Sequence, residues 1–385
     1  MILQLPKAVI VLSLVSFLND AASEMITPLL PLFLTVVLGA GTTVVGLVEG
    51  VAEATASLLK LVSGRLADRG WRYKPLVLGG YSLSNIARPL IGLATSWPWV
   101  LGLRFADRIG KGIRTAPRDA IIAHATPPHL LGRAFGLHRA LDNAGAIIGP
   151  LLAFWLLQQN VPMQHIFLWS ILPGLGVLLL LALGLEQTPP VPAQPLPPLR
   201  WRGLSPSLQG LILASGGLAL ASAPEVFLIL WATERGMAIA WAPLLWAAAS
   251  AVKTLIALMG GELSDKLGRL PVLLIGWGGR IAVLIALALA EDGLLLTWGL
   301  FLGYSAALAF TEGPERALVG DTADKRLKAT VFGLYHMIVG LAALPGAVLF
   351  GFLWETWSST TAFLTAAVIT TLSALTLIIM VSRNR

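Results

Sequence analysis

Apolar runs of about twenty residues recur along this chain from one end to the other, and a helix of that length spans the hydrocarbon of a bilayer. Such runs leave few folds open. In lipid every backbone N–H and C=O must find its partner inside the protein, so a chain of this kind folds as a bundle of membrane helices. Charge is correspondingly sparse. Only 12% of the 385 residues are charged, against 56% hydrophobic, whereas a soluble domain carries about a quarter charged residues. Mean hydropathy is +0.79. The net charge of +7 could point to nucleic acid, but the basic residues sit in short loops between apolar runs. That placement belongs to membrane topology, and no nucleic-acid partner is expected. The chain has no cysteine, which excludes disulfides and thiolate metal sites.

Twelve spans are predicted, near 8–38, 42–63, 74–94, 98–124, 132–158, 165–185, 207–232, 241–260, 271–290, 293–320, 329–353 and 359–381. The first follows Lys7 and runs past Pro31 without a small-residue cleavage site, so it reads as a retained helix and not a signal peptide. Between spans six and seven lies TPPVPAQPLPP, too rich in proline to continue a helix. The expected organisation is an all-α membrane protein: a six-helix bundle over 1–186, a cytoplasmic linker over 187–206 and a second six-helix bundle over 207–385. Arg65, Arg69, Arg72 and Lys74 follow span two, Arg200 and Arg202 sit in the linker, and Lys266 and Arg269 follow span eight. Lys325, Arg326 and Lys328 follow span ten. The opposite loops carry Glu291, Asp292 and Glu355 against one base, Arg235. This asymmetry predicts a multi-pass protein of a bacterial inner membrane with both termini cytoplasmic.

The chain also repeats itself. Gly64-Arg-Leu-Ala-Asp68 returns as Gly261-Glu-Leu-Ser-Asp265, an offset of 261 − 64 = 197. The same offset carries Pro117 onto Pro314, Phe135-Gly136-Leu137 onto Phe332-Gly333-Leu334, and Gly149 onto Gly346. One offset holding across several helices means two parallel copies, and transporters built this way place the solute between the copies near the midplane.

These residues carry a resemblance. GRLADRGWRYKP and GELSDKLGRLP are similar to the loop signature of the major facilitator superfamily, after spans two and eight. Arg104, Asp107, Gly110 and Gly112 resemble its span-four motif, and Gly145-x-x-x-Gly149-Pro150 resembles its Gly-Pro antiporter motif. Trp71 stands where the loop signature has glycine, and Leu152 and Ala153 stand where the Gly-Pro motif ends in a glycine pair. LVEGVAEATASLLKLVSGRLADR and RFADRIGKGIRTAPRDA look like a bacterial permease branch that includes nickel-resistance efflux permeases, though the His-rich tail of some nickel permeases is missing. The resemblance implies a monomer working by alternating access. It also implies a gating role for Gly64, Asp68, Arg69, Gly261 and Asp265.

Span four is the most informative segment. Arg104, Asp107, Arg108, Lys111, Arg114, Arg118 and Asp119 recur at helical spacing and form one stripe. A charge at the bilayer centre costs at least about 2.5–3.5 kcal/mol, so the stripe needs partners or water. Asp20 and Glu24, Glu49 and Glu53, and Asp142 are the acids available in the first half. The candidate substrate or proton site is therefore Asp20, Glu24, Glu49, Glu53, Arg104, Asp107, Arg108, Lys111, Asp142, His138 and His336. Arg114, Arg118, Asp119, Glu312, Glu315 and Arg316 are read as gating residues, with Arg118–Glu315 and Asp119–Arg316 as expected pairs. Glu225 and Lys253 are further intramembrane charges of the second half.

No compact His set suggests a metal site, so metal ligands stay unassigned. No phosphate-binding loop appears and no cofactor is expected. The expected function is proton-coupled efflux of a small solute, a metal ion or a drug-like compound. Uptake of an organic anion or metal chelate is the alternative. A membrane receptor or intramembrane enzyme is disfavoured, because no nucleophile–base pair is present.

Overall fold

The fold, seen in a computed structural model, is helical with no strand among the described residues, which are 5–68, 72–186, 201, 206–221, 223–322 and 328–382. The helices are α1 Lys7–Glu24, α2 Thr42–Asp68, α3 Tyr73–Leu90, α4 Trp97–Ala125, α5 Leu131–Gln158, α6 Met163–Trp169, α7 Ile171–Gly184, α8 Pro206–Leu220, α9 Glu225–Glu234, α10 Ala242–Leu267, α11 Arg269–Leu289, α12 Leu294–Thr322, α13 Lys328–Thr356 and α14 Ser359–Ser382. Among the described residues eight helical segments, from α5 onward with α6–α7 and α8–α9 each joined, are long and apolar enough to cross a membrane. The four helices before them, α1–α4, carry most of the ionisable residues singled out above.

Three predicted spans are interrupted. Span one breaks after Glu24 and resumes at Leu30–Leu32, followed by a π-helical turn at Phe33–Val37. Pro28 and Pro31 lie there, and proline has no N–H to give a helix. Span six kinks at Ser170 between α6 and α7. Span seven breaks between Leu220 and Glu225, where Pro224 holds an extended ψ of 137°. The breaks at Glu24 and Leu220 fall at nearly equivalent positions of the repeat.

The chain divides into two compact units. The first comprises 1–38, 55–195 and 240–247, and the second 39–54, 196–239 and 248–385. In the first unit the apolar core joins Val9, Leu12 and Val15 of α1 to Tyr73, Val77 and Tyr81 of α3 and to Val177 and Leu181 of α7. In the second, Leu208, Leu211 and Ile212 of α8 meet Leu273 and Trp277 of α11 and Leu377 of α14.

Helix crossings rest on glycine. A Cβ on Gly149 would fall within 3.0 Å of the Ala21 backbone, so α5 lies directly on α1. A Cβ on Gly346 would meet the carbonyl oxygens of Leu220 and Ala219, so α13 lies on α8 in the same way. The repeat thus preserves one contact in both units. Gly64 and Gly261 leave more room: a Cβ on Gly64 would meet Ala116 at 3.7 Å and one on Gly261 would meet nothing within 4 Å. The close crossing lies one residue earlier, where Gly260 abuts the carbonyl of Phe310.

Candidate functional site

α4 is built inside out. Arg104 and Asp107 are 1% and 0% exposed, while Phe105 is 44% exposed. The charged stripe thus turns inward and the apolar face outward, as a lipid-facing helix demands. Asp107 is the centre of the stripe. Its Oδ1 accepts Arg88 Nε at 2.8 Å, and its Oδ2 lies 3.5 Å from Arg104 Nη1 and 3.6 Å from Arg108 Nε. Three guanidinium groups from α3 and α4 therefore converge on one carboxylate. Two turns on, Arg114 Nη1 donates to Ser84 Oγ at 2.6 Å and lies over the Tyr81 ring, 4.3 Å from its centroid. Ser84 Oγ donates in turn to the Asp107 carbonyl at 2.8 Å. Gly80 and Gly110 make this possible, because neither position has room for a Cβ.

The network continues into α1 and α5. Arg88 Nη1 donates to Asn19 Oδ1 at 2.9 Å, and Asn19 Nδ2 donates to Asp20 Oδ1 at 3.0 Å. Asp20 and Asp142 lie close enough to interact electrostatically across the α1–α5 crossing. Ser16 Oγ donates to Asp142 Oδ1 at 2.6 Å, and Arg139, mostly exposed, lies 3.3 Å from Asp142 Oδ2. Two carboxylates brought together repel when both are ionised, and a proton taken up by either relieves the repulsion. The line Asp142–Asp20–Asn19–Arg88–Asp107 joins this carboxyl pair to the arginine cluster within one unit.

The other predicted residues fall elsewhere. Trp246 Nε1 donates to Glu24 at 2.8 Å, and both belong to the first unit. Glu49 and Glu53 lie in 39–54, the part of α2 that belongs to the second unit. Lys111 is half-buried, and its carbonyl accepts Thr115 Oγ1 at 2.6 Å. His138 is 6% exposed, and its Nδ1 has no hydrogen-bond partner among the described residues. Arg118 pairs with its neighbour Asp119 at 2.8 Å. Arg69 and the side chain of Asp68 lie outside the described residues.

The second unit is poorer in charge. The 197-residue offset sets Phe301 against Arg104, Tyr304 against Asp107, Ser305 against Arg108, Leu308 against Lys111 and Thr311 against Arg114. α12 thus keeps charge only toward its C-terminal end, at Glu312, Glu315, Arg316 and Asp321. What remains is distributed. Lys253 Nζ lies 2.8 Å from Glu225 Oε2, and Ser305 Oγ donates to Glu225 Oε1 at 2.7 Å. Tyr335 donates to Glu315 at 2.8 Å, Arg316 pairs with Glu312 at 2.7 Å, and Arg269 pairs with Asp265 and, at 3.3 Å, with Asp321. His336 packs against the rings of Tyr335 and Phe332. Among the described residues no three of His, Asp and Glu gather closely enough to hold a metal ion.

Sequence reasoning passed over Arg88, Arg280, Asn19 and Ser84. The signal for the two arginines was present, since a lone arginine inside an apolar span is costly and marks a partner. Arg280 is buried at 4% exposure, with its guanidinium 5.8 Å from the centroid of the Tyr304 ring. Asn19 and Ser84 carried no such signal, because small polar residues are common in membrane helices.

The comparisons agree on the architecture. The Major Facilitator Superfamily model matches residues 12–347. An uncharacterised MFS-type transporter of Methanocaldococcus jannaschii is 35% identical over 97% of this chain and 95% of its own length. An uncharacterised protein of Mycobacterium bovis is 30% identical over 83% of this chain and 80% of its own. The multidrug resistance protein MdtH of Photorhabdus laumondii is 34% identical over 40% of this chain and 37% of its own. Among solved structures, a bacterial homologue of the human lysosomal transporter Spinster, inward-facing and occupied, superposes with a TM-score of 0.80 at 18% identity, covering 97% of this chain and 96% of that one. The nucleoside transporter NupG superposes with a TM-score of 0.76 at 14% identity, covering 97% and 99%.

Proposed function

This chain belongs to the major facilitator superfamily, and from that premise we propose that it is a secondary active transporter that exports a small drug-like solute in exchange for protons. It is a membrane protein and not an enzyme. Two six-helix bundles that rock around a midplane site are the working architecture, with both termini in the cytoplasm of a bacterial cell. What supports the coupling is the placement of two carboxyl groups, Asp20 and Asp142, side by side where α5 crosses α1. Bound to either, a proton lets the two groups sit together. Released, it leaves two like charges facing each other at close range. Gly145 and Gly149 let α5 lie directly on the α1 backbone, so the two charges start close together. The strain passes along Asn19 to Arg88 and the Asp107 cluster. A change of protonation in α1 is thus converted into a change of charge balance along α4. The Gly-Pro motif at Gly145, Gly149 and Pro150 and the partial likeness to MdtH support the export direction. The likeness to nickel permeases keeps a divalent metal as the competing cargo, and the arginine cluster keeps uptake of an organic anion as the second reading.

The test is solute-driven proton movement in proteoliposomes loaded with a pH dye, with lipophilic cations, organic acids and divalent metals as solutes. Organic cations should evoke a flux that Asp20→Asn and Asp142→Asn each abolish. Flux with metals alone would replace the cargo, and flux surviving both variants would end the carboxyl-pair mechanism.

A further inference from the structure

The break between α8 and α9 is built, and it holds a charged pair. Tyr304 Oη donates to the Ala223 carbonyl at 2.8 Å, so α12 fixes the unwound segment by a specific bond. Pro224 then caps α9 without an N–H of its own, and Glu225 occupies the first turn, where the helix dipole favours a carboxylate. Glu225 is held from two further helices, by Ser305 at 2.7 Å and Lys253 at 2.8 Å. Lys253 lies near the middle of α10, and Ser305, which bonds Glu225, lies near the middle of α12. Three elements therefore bring an ion pair to mid-span depth in a unit otherwise poor in charge. Interrupted helices at that depth are where transporters of this architecture take their solutes.

The pair is not sealed. The side chains of Lys253 and Glu225 remain 29% and 16% accessible. A pair this largely buried rarely adds net stability, because desolvation of its charges offsets their attraction, and charges at this depth are costly to place. Stability alone does not account for it. The two partners also differ in freedom. Glu225 is pinned by Ser305 and by its place at a helix start. Lys253 is a point charge on a flexible four-carbon stem and is the more exposed of the two. Of the two partners, the lysine has the longer and more accessible side chain.

We propose that Glu225 is a recognition site for an amphipathic organic cation, whose charged centre replaces the Lys253 ammonium at the carboxylate while Ser305 keeps the carboxylate in place. This deepens the export reading by naming the class of solute, and it rests on that reading. Lys253 then acts as a built-in competitor that occupies the site between cargoes and returns when the cargo leaves. The site discriminates by charge, because a neutral molecule of the same shape gains nothing by displacing an ammonium.

Purified full-length protein in proteoliposomes tests this with tetraphenylphosphonium and its neutral counterpart triphenylphosphine oxide. Lys253→Met should tighten phosphonium binding roughly tenfold and Glu225→Gln should weaken it by as much. Lys253→Arg should bind as the wild type does, and none of the three should change binding of the oxide. Equal effects on both ligands, unchanged phosphonium binding in both Lys253→Met and Glu225→Gln, or no phosphonium binding by the wild type would each overturn the site. The pH dye in the same vesicles separates the two claims. Proton flux without the charge discrimination removes the site and keeps the transporter reading. Discrimination without flux keeps the site and removes proton coupling.

Discussion

Asp107→Asn is the substitution whose effect follows most directly from the geometry. It is nearly isosteric. The Ser84 bond to the Asp107 carbonyl survives, as does a neutral acceptor for Arg88. What goes is one negative charge, 2.8, 3.5 and 3.6 Å from three guanidinium groups. Arg88 and Arg104 are buried at 2% and 1% exposure, so neither can turn to water for compensation. Removing one member of a buried ion pair costs about 3–5 kcal/mol, because the remaining charge is stranded. With roughly 2–4 °C of melting temperature per kcal/mol for a unit of this size, the expected loss is on the order of 6–20 °C. Asp119→Asn is the control. It breaks the same kind of pair, with Arg118, but the Asp119 side chain is 43% exposed. Pairs so exposed contribute at most about 1 kcal/mol, and melting should fall by no more than about 4 °C. Thermal unfolding in detergent, followed by size-exclusion of the surviving monodisperse fraction, measures both. Equal shifts for the two variants, or an Asp107→Asn protein melting within about 2 °C of the wild type, would refute the burial argument.

Gly149→Ala should cost about 1–3 kcal/mol, since its methyl group overlaps the Ala21 backbone and only helix separation relieves it. Gly346→Ala should cost a similar amount against Leu220, while Gly136→Ala, on the same helix as Gly149 but with nothing within 4 Å of its Cβ, should cost nothing. The same melting assay decides, and a Gly136→Ala loss matching that of Gly149→Ala would contradict it. Glu355→Ala removes the acceptor for the Thr43 N–H at the start of α2, and about 0.5–2 kcal/mol should go with that cap. Amide exchange confined to the first turn of α2 reads it, and unchanged protection there would show the cap to be idle. Asp142→Asn should uncouple solute movement from protons while leaving solute binding intact, and binding lost in parallel with coupling would instead mark Asp142 as a solute contact.

The all-helical membrane architecture was legible before any coordinates. Runs long enough to span a bilayer admit only backbone-satisfied helices, and one offset of 197 residues exposed the internal copy. The stripe on α4 was legible for the same reason: a helix repeats every three or four residues, so charges at that spacing must share a face. The continuity of the first and seventh spans was misjudged, because a proline in an apolar run ends a helix only where neighbours supply partners for the freed groups. In the second unit Tyr304 supplies one, from eighty-one residues away.

Periodicity therefore determined which residues share a face, and tertiary packing decided which of them meet. Asp142 and Asp20 are 122 positions apart in the chain (142 − 20 = 122), and no spacing rule pairs them. They meet because Gly145 and Gly149 let α5 lie on α1. α2 divides between the two units, with its start, including Glu49 and Glu53, in the second and the rest of the helix in the first, a division no spacing rule predicts. Local chemistry is written along the chain, whereas a contact between helices depends on volumes filled and charges neutralised by residues far away in sequence.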